Sequence, residues 1–190
     1  MIRCFVAIPL PDDVLAQIGE VSRQIKKLGI DARFPRPESI HLTLKFLGDV
    51  QESAVPGILE TMREEVCEYE PFNVRVRKAG AFPHLADPRV VWLGVESGEE
   101  LRKMQSGVES GLAGLGFKKD KRRFSPHLTL ARVKSRHMIA NLMHYLESRG
   151  PEIELGSFPV RNVILFRSEL RPSGAVYSHL GSAALEQAGF

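Results

Sequence analysis

Apolar positions recur along the chain at two spacings, one typical of strands and one typical of helices. The segment from Ile2 to Leu10 is rich in β-branched and aromatic residues and ends at proline, which predicts a buried strand. Pro11 and the two aspartates after it favour a first helical turn. The helix that they begin ends at Gly29 and has one apolar face, formed by Val14, Ile18, Val21, Ile25 and Leu28.

The same two patterns predict the remaining elements. Further helices are predicted over residues 55–69, 99–115 and 138–148. Further strands are predicted over residues 40–47, 72–78, 90–95, 127–133, 153–160, 163–168 and 176–185. Gly48-Asp49 is expected to end the 40–47 strand, and Pro172-Ser173-Gly174 predicts a turn.

Strands and helices alternate in two comparable halves, and no flexible linker separates them. The connections between strands 72–78 and 90–95, and between strands 153–160 and 163–168, are too short for a helical crossover, so antiparallel pairing is expected in both. We therefore predict an α+β fold in one domain over residues 1–190. Two intertwined, pseudo-symmetric lobes would each carry a mostly antiparallel sheet, with helices on the outer faces and a central cleft.

One tetrapeptide occurs twice, nearly half a chain apart. His41-Leu42-Thr43-Leu44 returns as His127-Leu128-Thr129-Leu130. Alternate residues of a strand share a face, so each copy directs histidine and threonine to one side and leucines to the other. A lone His-x-Thr is typical of a surface pair or of a hydrogen-bonded core histidine. The repetition instead favours a duplicated unit whose two copies face one pocket.

Two histidines across a cleft form an acid–base couple, because their ordinary pKa of about 6.5 allows one neutral and one charged ring near neutrality. The hydroxyls of Thr43 and Thr129 can donate to a phosphoryl or acyl oxygen. The pair suits a displacement in which the attacking oxygen loses a proton while the leaving oxygen gains one, and phosphodiester cleavage fits that requirement. By strand alternation Lys45 would share the face of His41 and Thr43.

Other reaction classes fit the sequence less well. Threonine is a poor zinc ligand, and no cysteine or carboxylate lies beside either motif, so no metal is expected. No Gly-x-Ser-x-Gly elbow indicates a serine hydrolase. Cys4 and Cys67 lack metal-ligand spacing; a disulfide stays open, but such sparse cysteines favour reduced thiols.

The net charge of +3 permits an anionic substrate without requiring nucleic acid. The densest basic run, residues 118–123, is either a solvated loop or a source of positive charge for a phosphate near the second motif. The apolar run at the start is too short for a signal peptide, and no stretch is long enough to span a bilayer. We expect a cytoplasmic monomer with no membrane contact.

With these motifs and their flanks, the chain resembles the 2H phosphoesterase superfamily, and within it the RNA 2′,3′-cyclic phosphodiesterase family, once known as 2′-5′ RNA ligases. The similarity covers nearly the whole chain, with one local departure at Phe34, where such proteins often carry Trp. It is carried by four stretches: Arg3-x-Phe5-x-Ala7-Ile8-x-Leu10-Pro11, Pro37-Glu38-x-Ile40-His41-Leu42-Thr43-Leu44-Lys45-Phe46-Leu47-Gly48, Trp92-Leu93-Gly94-Val95, and Phe124-x-Pro126-His127-Leu128-Thr129-Leu130-Ala131-Arg132.

The resemblance implies metal-free hydrolysis of a terminal 2′,3′-cyclic phosphate on RNA to a 2′-phosphate, with 2′,5′ ligation as the reverse type of reaction. It implies that His41 is the proton donor, that His127 is the proton acceptor, and that Thr43 and Thr129 hold the phosphate. Arg132 also matches the family pattern as a phosphate or base contact. Strand alternation turns Arg132 away from the pocket, however, unless the strand bulges there. The alternative is a non-catalytic module that binds RNA ends or cyclic nucleotides, and the presence of both histidines favours the enzyme.

Overall fold

The computed structural model describes residues 1–171 and 174–186, whose strands form two antiparallel sheets. In chain order the strands are β1 (Ile2–Ile8), β2 (Ala32–Arg33), β3 (Leu42–Val50), β4 (Phe72–Phe82), β5 (Val90–Ser97), β6 (His127–Val133), β7 (Glu154–Val160), β8 (Asn162–Arg171) and β9 (Gly174–Ala184). The first sheet has the order β3-β1-β8-β9, and the second has the order β2-β6-β5-β4-β7. Each sheet therefore contains one of the two motif strands.

Each sheet is covered by two of the four described α-helices, which are α1 (Asp12–Lys26), α2 (Val55–Val66), α3 (Glu99–Gly114) and α4 (Ile139–Ser148). Helix α2 contacts β8 and β9, and α3 contacts β3, so this pair covers the first sheet. Helix α1 contacts β6 and β7, and α4 contacts β4, so the other pair covers the second sheet. Because α1 lies on the second sheet while β8 and β9 complete the first, the chain passes repeatedly between the two.

The predicted α+β fold with two antiparallel sheets is confirmed, and one predicted strand pair is wrong. Strand β7 does not pair with β8; it pairs with β4, whereas β8 lies between β1 and β9. The reason lies in the continuous apolar run from Val163 to Phe166, which is buried on both faces. Such a run belongs to a central strand that needs a partner along each edge, and the short β7–β8 connection therefore crosses from one sheet to the other.

Two other expectations concern turns. Gly48-Asp49 does not end the first motif strand, because Gly48 adopts a φ of 73° at a bulge and β3 continues to Val50. The turn predicted at Pro172-Ser173-Gly174 lies partly outside the described residues, since 172 and 173 are not among them. Among the described helices, none combines the length and the apolar character that crossing a membrane requires.

One contiguous apolar core lies between sheets and helices, and it contains Leu42, Leu44, Leu128 and Leu130 from the two motifs. A second, smaller cluster lies on the opposite face of the first sheet. It consists of Phe5, Ala7, Ile164 and Phe166, with Tyr177 packed against it. The first motif histidine rests on this second cluster.

Candidate active site

Both motif strands carry a β-bulge immediately after the motif threonine. In the first sheet Thr43 pairs with Ala7 and Lys45 with Val6, which leaves Leu44 without a partner. In the second sheet Thr129 pairs with Trp92 and Ala131 with Val91, which leaves Leu130 without a partner. Each bulge reverses the alternation of side chains beyond it.

The first bulge turns Lys45 away from the pocket, so the expectation from simple alternation is wrong. Its side chain is 3% exposed and forms an ion pair with Glu109 of α3. Its Nζ also donates to the Lys118 carbonyl oxygen at 2.9 Å. Lys45 therefore fastens β3 to the helix behind it and is not one of the residues that line the cavity between the motifs.

The second bulge turns Arg132 towards the pocket. From the sequence, Arg132 was expected to face the pocket only if the strand bulged at this point, and it does. Arg132 lines the same cavity as His127 and Thr129, and Phe46 occupies the equivalent position after the first bulge. Phe46 is 70% exposed, so its aromatic ring is open to solvent on the wall of the cavity.

A cavity of about 660 Å³ lies between the two motif strands, which contact each other. The structure brings His41, Thr43, His127 and Thr129 together on its wall. Its volume falls within the range of about 300–1,000 Å³ typical of small-molecule sites.

Each motif histidine is fixed by the carbonyl group of the serine two residues before it. The Nδ1 atom of His41 lies 2.9 Å from the Ser39 carbonyl oxygen, and Nδ1 of His127 lies 2.7 Å from that of Ser125. Because a carbonyl oxygen can only accept, Nδ1 carries the hydrogen in both rings. In each neutral ring Nε2 is thereby left without a hydrogen and can accept one.

The surroundings of the two rings differ. His41 stacks on Phe5 with 4.5 Å between ring centroids, and Tyr177 meets it edge-on at 5.2 Å. His127 meets Phe82 edge-on at 5.0 Å. Burial among aromatic rings lowers the pKa of His41 to about 4, since it penalises the charged form. His41 is consequently neutral at pH 7 in the unliganded protein.

Positive charge in the cavity comes from arginines. Arg3, Arg33, Arg36 and Arg132 line it, and none of them forms an ion pair with a carboxylate in the described part of the chain. The basic run 118–123 contributes none of the residues on the wall. Within it Arg122 pairs with Asp120, and the Lys118 carbonyl oxygen is held by Lys45.

Tyr177, Phe46 and the arginines 3, 33 and 36 are site residues that the motif pattern did not indicate. Tyr177 comes from β9, and burial raises the pKa of its hydroxyl. Nothing in its local sequence indicates that β9 joins the sheet of the first motif. The exposed Phe46 could be found only by recognising the bulge at Leu44.

Other candidate groups lie outside the cavity or form no cluster. Across residues 1–171 and 174–186, no three His, Cys, Asp or Glu side chains are close enough together to hold a metal ion. Both cysteines are free thiols. The remaining histidines, which are His84, His137, His144 and His179, are exposed, as expected.

Comparison with known proteins gives a family match and close structural likenesses. The sequence model of the 2′-5′ RNA ligase superfamily matches residues 10–171. A protein of Methanothermobacter thermautotrophicus, named RNA 2′,3′-cyclic phosphodiesterase, is 36% identical over 182 residues, which cover 94% of this chain and 96% of that protein.

Two solved structures resemble the whole chain. A protein of Thermus thermophilus superposes with a TM-score of 0.81 at 29% identity, covering 98% of this chain and 100% of that one. LigT of E. coli, solved in complex with 3′-AMP, gives a TM-score of 0.81 at 26% identity, covering 98% of this chain and 99% of that one.

Proposed function

The chain belongs to the 2′-5′ RNA ligase superfamily, as its paired motifs predicted, and we propose from this premise that it hydrolyses the terminal 2′,3′-cyclic phosphate of RNA to a 2′-phosphate. The observation that carries the proposal is the matched pair of histidines. Two imidazoles, each fixed at Nδ1 by a serine carbonyl group, line one cavity together with two threonines. Relatives of the chain bear the name of this activity.

In the proposed reaction His127 takes a proton from water as the oxygen attacks phosphorus. His41 gives a proton to the departing 3′-oxygen, so the phosphate stays on the 2′-oxygen. Thr43 and Thr129 donate hydrogen bonds to the remaining phosphoryl oxygens, which carry the developing negative charge. The tautomer with hydrogen on Nδ1 suits His127, since it leaves Nε2 free to accept a proton.

His41 needs a proton before it can act as the donor, and its pKa of about 4 means that the ring lacks one at pH 7 without substrate. A phosphate anion near Nε2 favours the charged ring, because opposite charges attract strongly where water is excluded. The proposed donor therefore gains its proton with the substrate. The bound complex, rather than the free protein, is the form that carries an acid and a base together.

An RNA end fits the cavity better than phosphate alone. The four arginines on its wall can attract a polyanion, and the exposed ring of Phe46 offers a surface on which a base can stack. No metal has a role in this proposal, because imidazole and hydroxyl groups supply every proton transfer and hydrogen bond that it uses. A 5′-hydroxyl of a second strand in the place of water would give 2′,5′ ligation by the same steps.

Incubation with adenosine 2′,3′-cyclic phosphate, followed by chromatography, tests the proposal. We expect adenosine 2′-phosphate as the product, at a rate unaffected by exhaustive chelation. A 3′-phosphate product would refute the choice of leaving group, and activity lost in EDTA and restored by zinc or manganese would refute the metal-free mechanism. Saturable binding without any product would favour the alternative, a binding module for RNA ends.

A further inference from the structure

A second cavity, of about 230 Å³, lies on the second sheet beside His127. Arg77, Phe82, Trp92, Gly94 and Arg102 are among the residues that line it. Of the described residues, His127 alone lines both this cavity and the larger one. The imidazole that we propose as the proton acceptor thus forms the wall between them.

Two glycines create this space. Residues paired across antiparallel strands share a face, and one such row runs from His127 through Gly94 to Arg77. Because Gly94 has no side chain, a gap remains between the imidazole and the guanidinium group. In the next row Trp92 lies over Gly80, where a Cβ would collide with the indole ring. The indole can therefore lie flat along the sheet and form one wall of the gap.

The residues that line the second cavity suit a nucleobase with a phosphate group beside it. Phe82 and Trp92 lie 5.3 Å apart between ring centroids and offer aromatic surface. Arg102 donates to the Phe124 carbonyl oxygen at 3.2 Å and has no ion-pair partner in the part of the chain that the structure describes. Lys78 and Glu96 also line this cavity, and the Nζ atom of Lys78 lies 3.6 Å from a carboxylate oxygen of Glu96.

Lys78 also adopts strained backbone at this wall. Its φ of 60° is in the left-handed region, at a bulge of β4 between Arg77 and Ala79. A side chain with a Cβ is strained in this conformation, and such strain concentrates at functional sites.

We infer that this second cavity binds the first nucleoside of an RNA strand with a free 5′-hydroxyl, as the acceptor in 2′,5′-bond formation. The inference rests on the proposed role of His127. In an in-line displacement the nucleophile lies beside the proton acceptor, opposite the leaving 3′-oxygen and its ribose. A substituent on the nucleophile therefore lies on the His127 side, next to the second cavity.

The reaction balances without a further reactant. The 5′-oxygen forms a bond to phosphorus as the bond from phosphorus to the 3′-oxygen breaks. The 5′-hydroxyl proton passes to His127, and His41 supplies a proton to the 3′-oxygen. The product is a 2′,5′-phosphodiester, and no water is consumed. The acceptor's own next phosphate would then lie towards Arg102.

Binding can be measured without any reaction, because Trp92 is the only tryptophan in the chain. With the larger cavity saturated by adenosine 2′-phosphate, the dinucleotide ApA should produce a further, saturable change in tryptophan fluorescence. Arg102→Glu should weaken this binding on the order of tenfold and reduce its salt dependence, since one phosphate contact is lost. A protein that shows no further change with ApA would overturn the inference.

The partition between products gives the second test. With adenosine 2′,3′-cyclic phosphate and ApA, Arg102→Glu should lower the ratio of 2′,5′-linked product to adenosine 2′-phosphate, again on the order of tenfold. The hydrolysis rate without ApA should stay unchanged. Lys103→Glu is the matched control, because this neighbouring residue of α3 is exposed and pairs with Glu99.

The two proposals fail in different ways. If no cyclic phosphate is hydrolysed, the proposed function is wrong, and the fluorescence titration still decides whether the second cavity binds ApA. If hydrolysis proceeds but both charge reversals change the product ratio equally, the acceptor lies elsewhere and the inference is overturned.

Discussion

Leu44 and Leu130 hold the same position in two β-bulges, each directly after the threonine of a His-x-Thr motif. The repeat in sequence is thus also a repeat in backbone conformation. Before each bulge, the histidine and threonine side chains face the cavity. After the bulge, Phe46 faces it in one strand and Arg132 faces it in the other. The duplicated motif therefore ends in two different functional groups, an aromatic ring and a guanidinium group.

Replacing either motif histidine should reduce turnover and leave the fold intact. We expect His41→Ala and His127→Ala each to slow hydrolysis of a cyclic nucleotide about 10²–10⁴-fold, the usual contribution of general acid–base catalysis. Single-turnover rates would be compared at matched circular dichroism spectra, with His144→Ala as the control on an exposed helix surface. A variant with near-parental activity would remove that histidine from the mechanism.

Replacing Lys45 should destabilise the protein, because its side chain is buried against Glu109. Lys45→Met leaves a largely buried carboxylate without its partner, which typically costs about 3–5 kcal/mol of unfolding free energy. Urea denaturation would measure the loss, and Lys45→Met combined with Glu109→Leu should recover much of it.

Lys103→Met is the matched control for Lys45, since Lys103 pairs with Glu99 while 66% exposed. Its effect should stay within about 0.5 kcal/mol. An unchanged stability of Lys45→Met together with a raised KM for a cyclic nucleotide would instead make Lys45 a substrate contact.

Sequence patterns predicted the elements and the motif pair because both depend on local spacing. Alternation placed histidine and threonine on one face, and β6 has the predicted bounds, His127–Val133. Alternation failed at Lys45 because a bulge depends on pairing with a distant strand, and the unpaired Leu44 has no distinguishing local sequence.

Long-range pairing also explains the other differences. Neither the exchange of β7 and β8 between sheets nor the position of Tyr177 beside His41 follows from spacing along the chain. Both depend on which partners bury the most apolar surface. The continuous apolar run of β8 was the one local sign that this strand would be central.

Stability should fall on acidification partly because of His41. Its pKa is about 4 when folded and about 6.5 when unfolded, so the unfolded chain binds more protons between these values. The contribution of neutral His41 to the unfolding free energy is complete above about pH 6.5, and it is lost as the pH falls towards 4. At pH 5 the loss of unfolding free energy is about 2 kcal/mol.

Urea denaturation at pH 7.5 and pH 5 would measure this loss. Between these two pH values, His41→Asn should show a smaller fall in unfolding free energy than the parent protein. His144→Asn, which changes an exposed residue, should show the same fall as the parent protein. Equal falls in all three proteins would mean that burial does not keep His41 neutral.

The salt dependence of RNA binding should depend on Arg132 rather than on the basic run 118–123. Arg132 lines the cavity, whereas the Lys118 carbonyl oxygen is bound to Lys45, and none of residues 118–123 lines the cavity. Arg132→Gln should reduce the slope of log affinity against log salt by about one. Lys121→Gln should leave the slope unchanged for a short RNA with a 2′,3′-cyclic end. The reverse order of effects would locate the RNA path over the basic run.

The division of labour between the two histidines can be tested with a changed leaving group. A thiolate leaves with little protonation, so a substrate with sulfur in place of the 3′-oxygen does not depend on the proton donor. If His41 is that donor, the sulfur substrate should restore much of the rate lost in His41→Ala and little of the rate lost in His127→Ala, which still lacks a group to deprotonate water. The low pKa of His41 sharpens the test, because a ring that is neutral without substrate could equally accept a proton. Rescue of His127→Ala instead would reverse the two roles and would also move the acceptor strand to the side of His41.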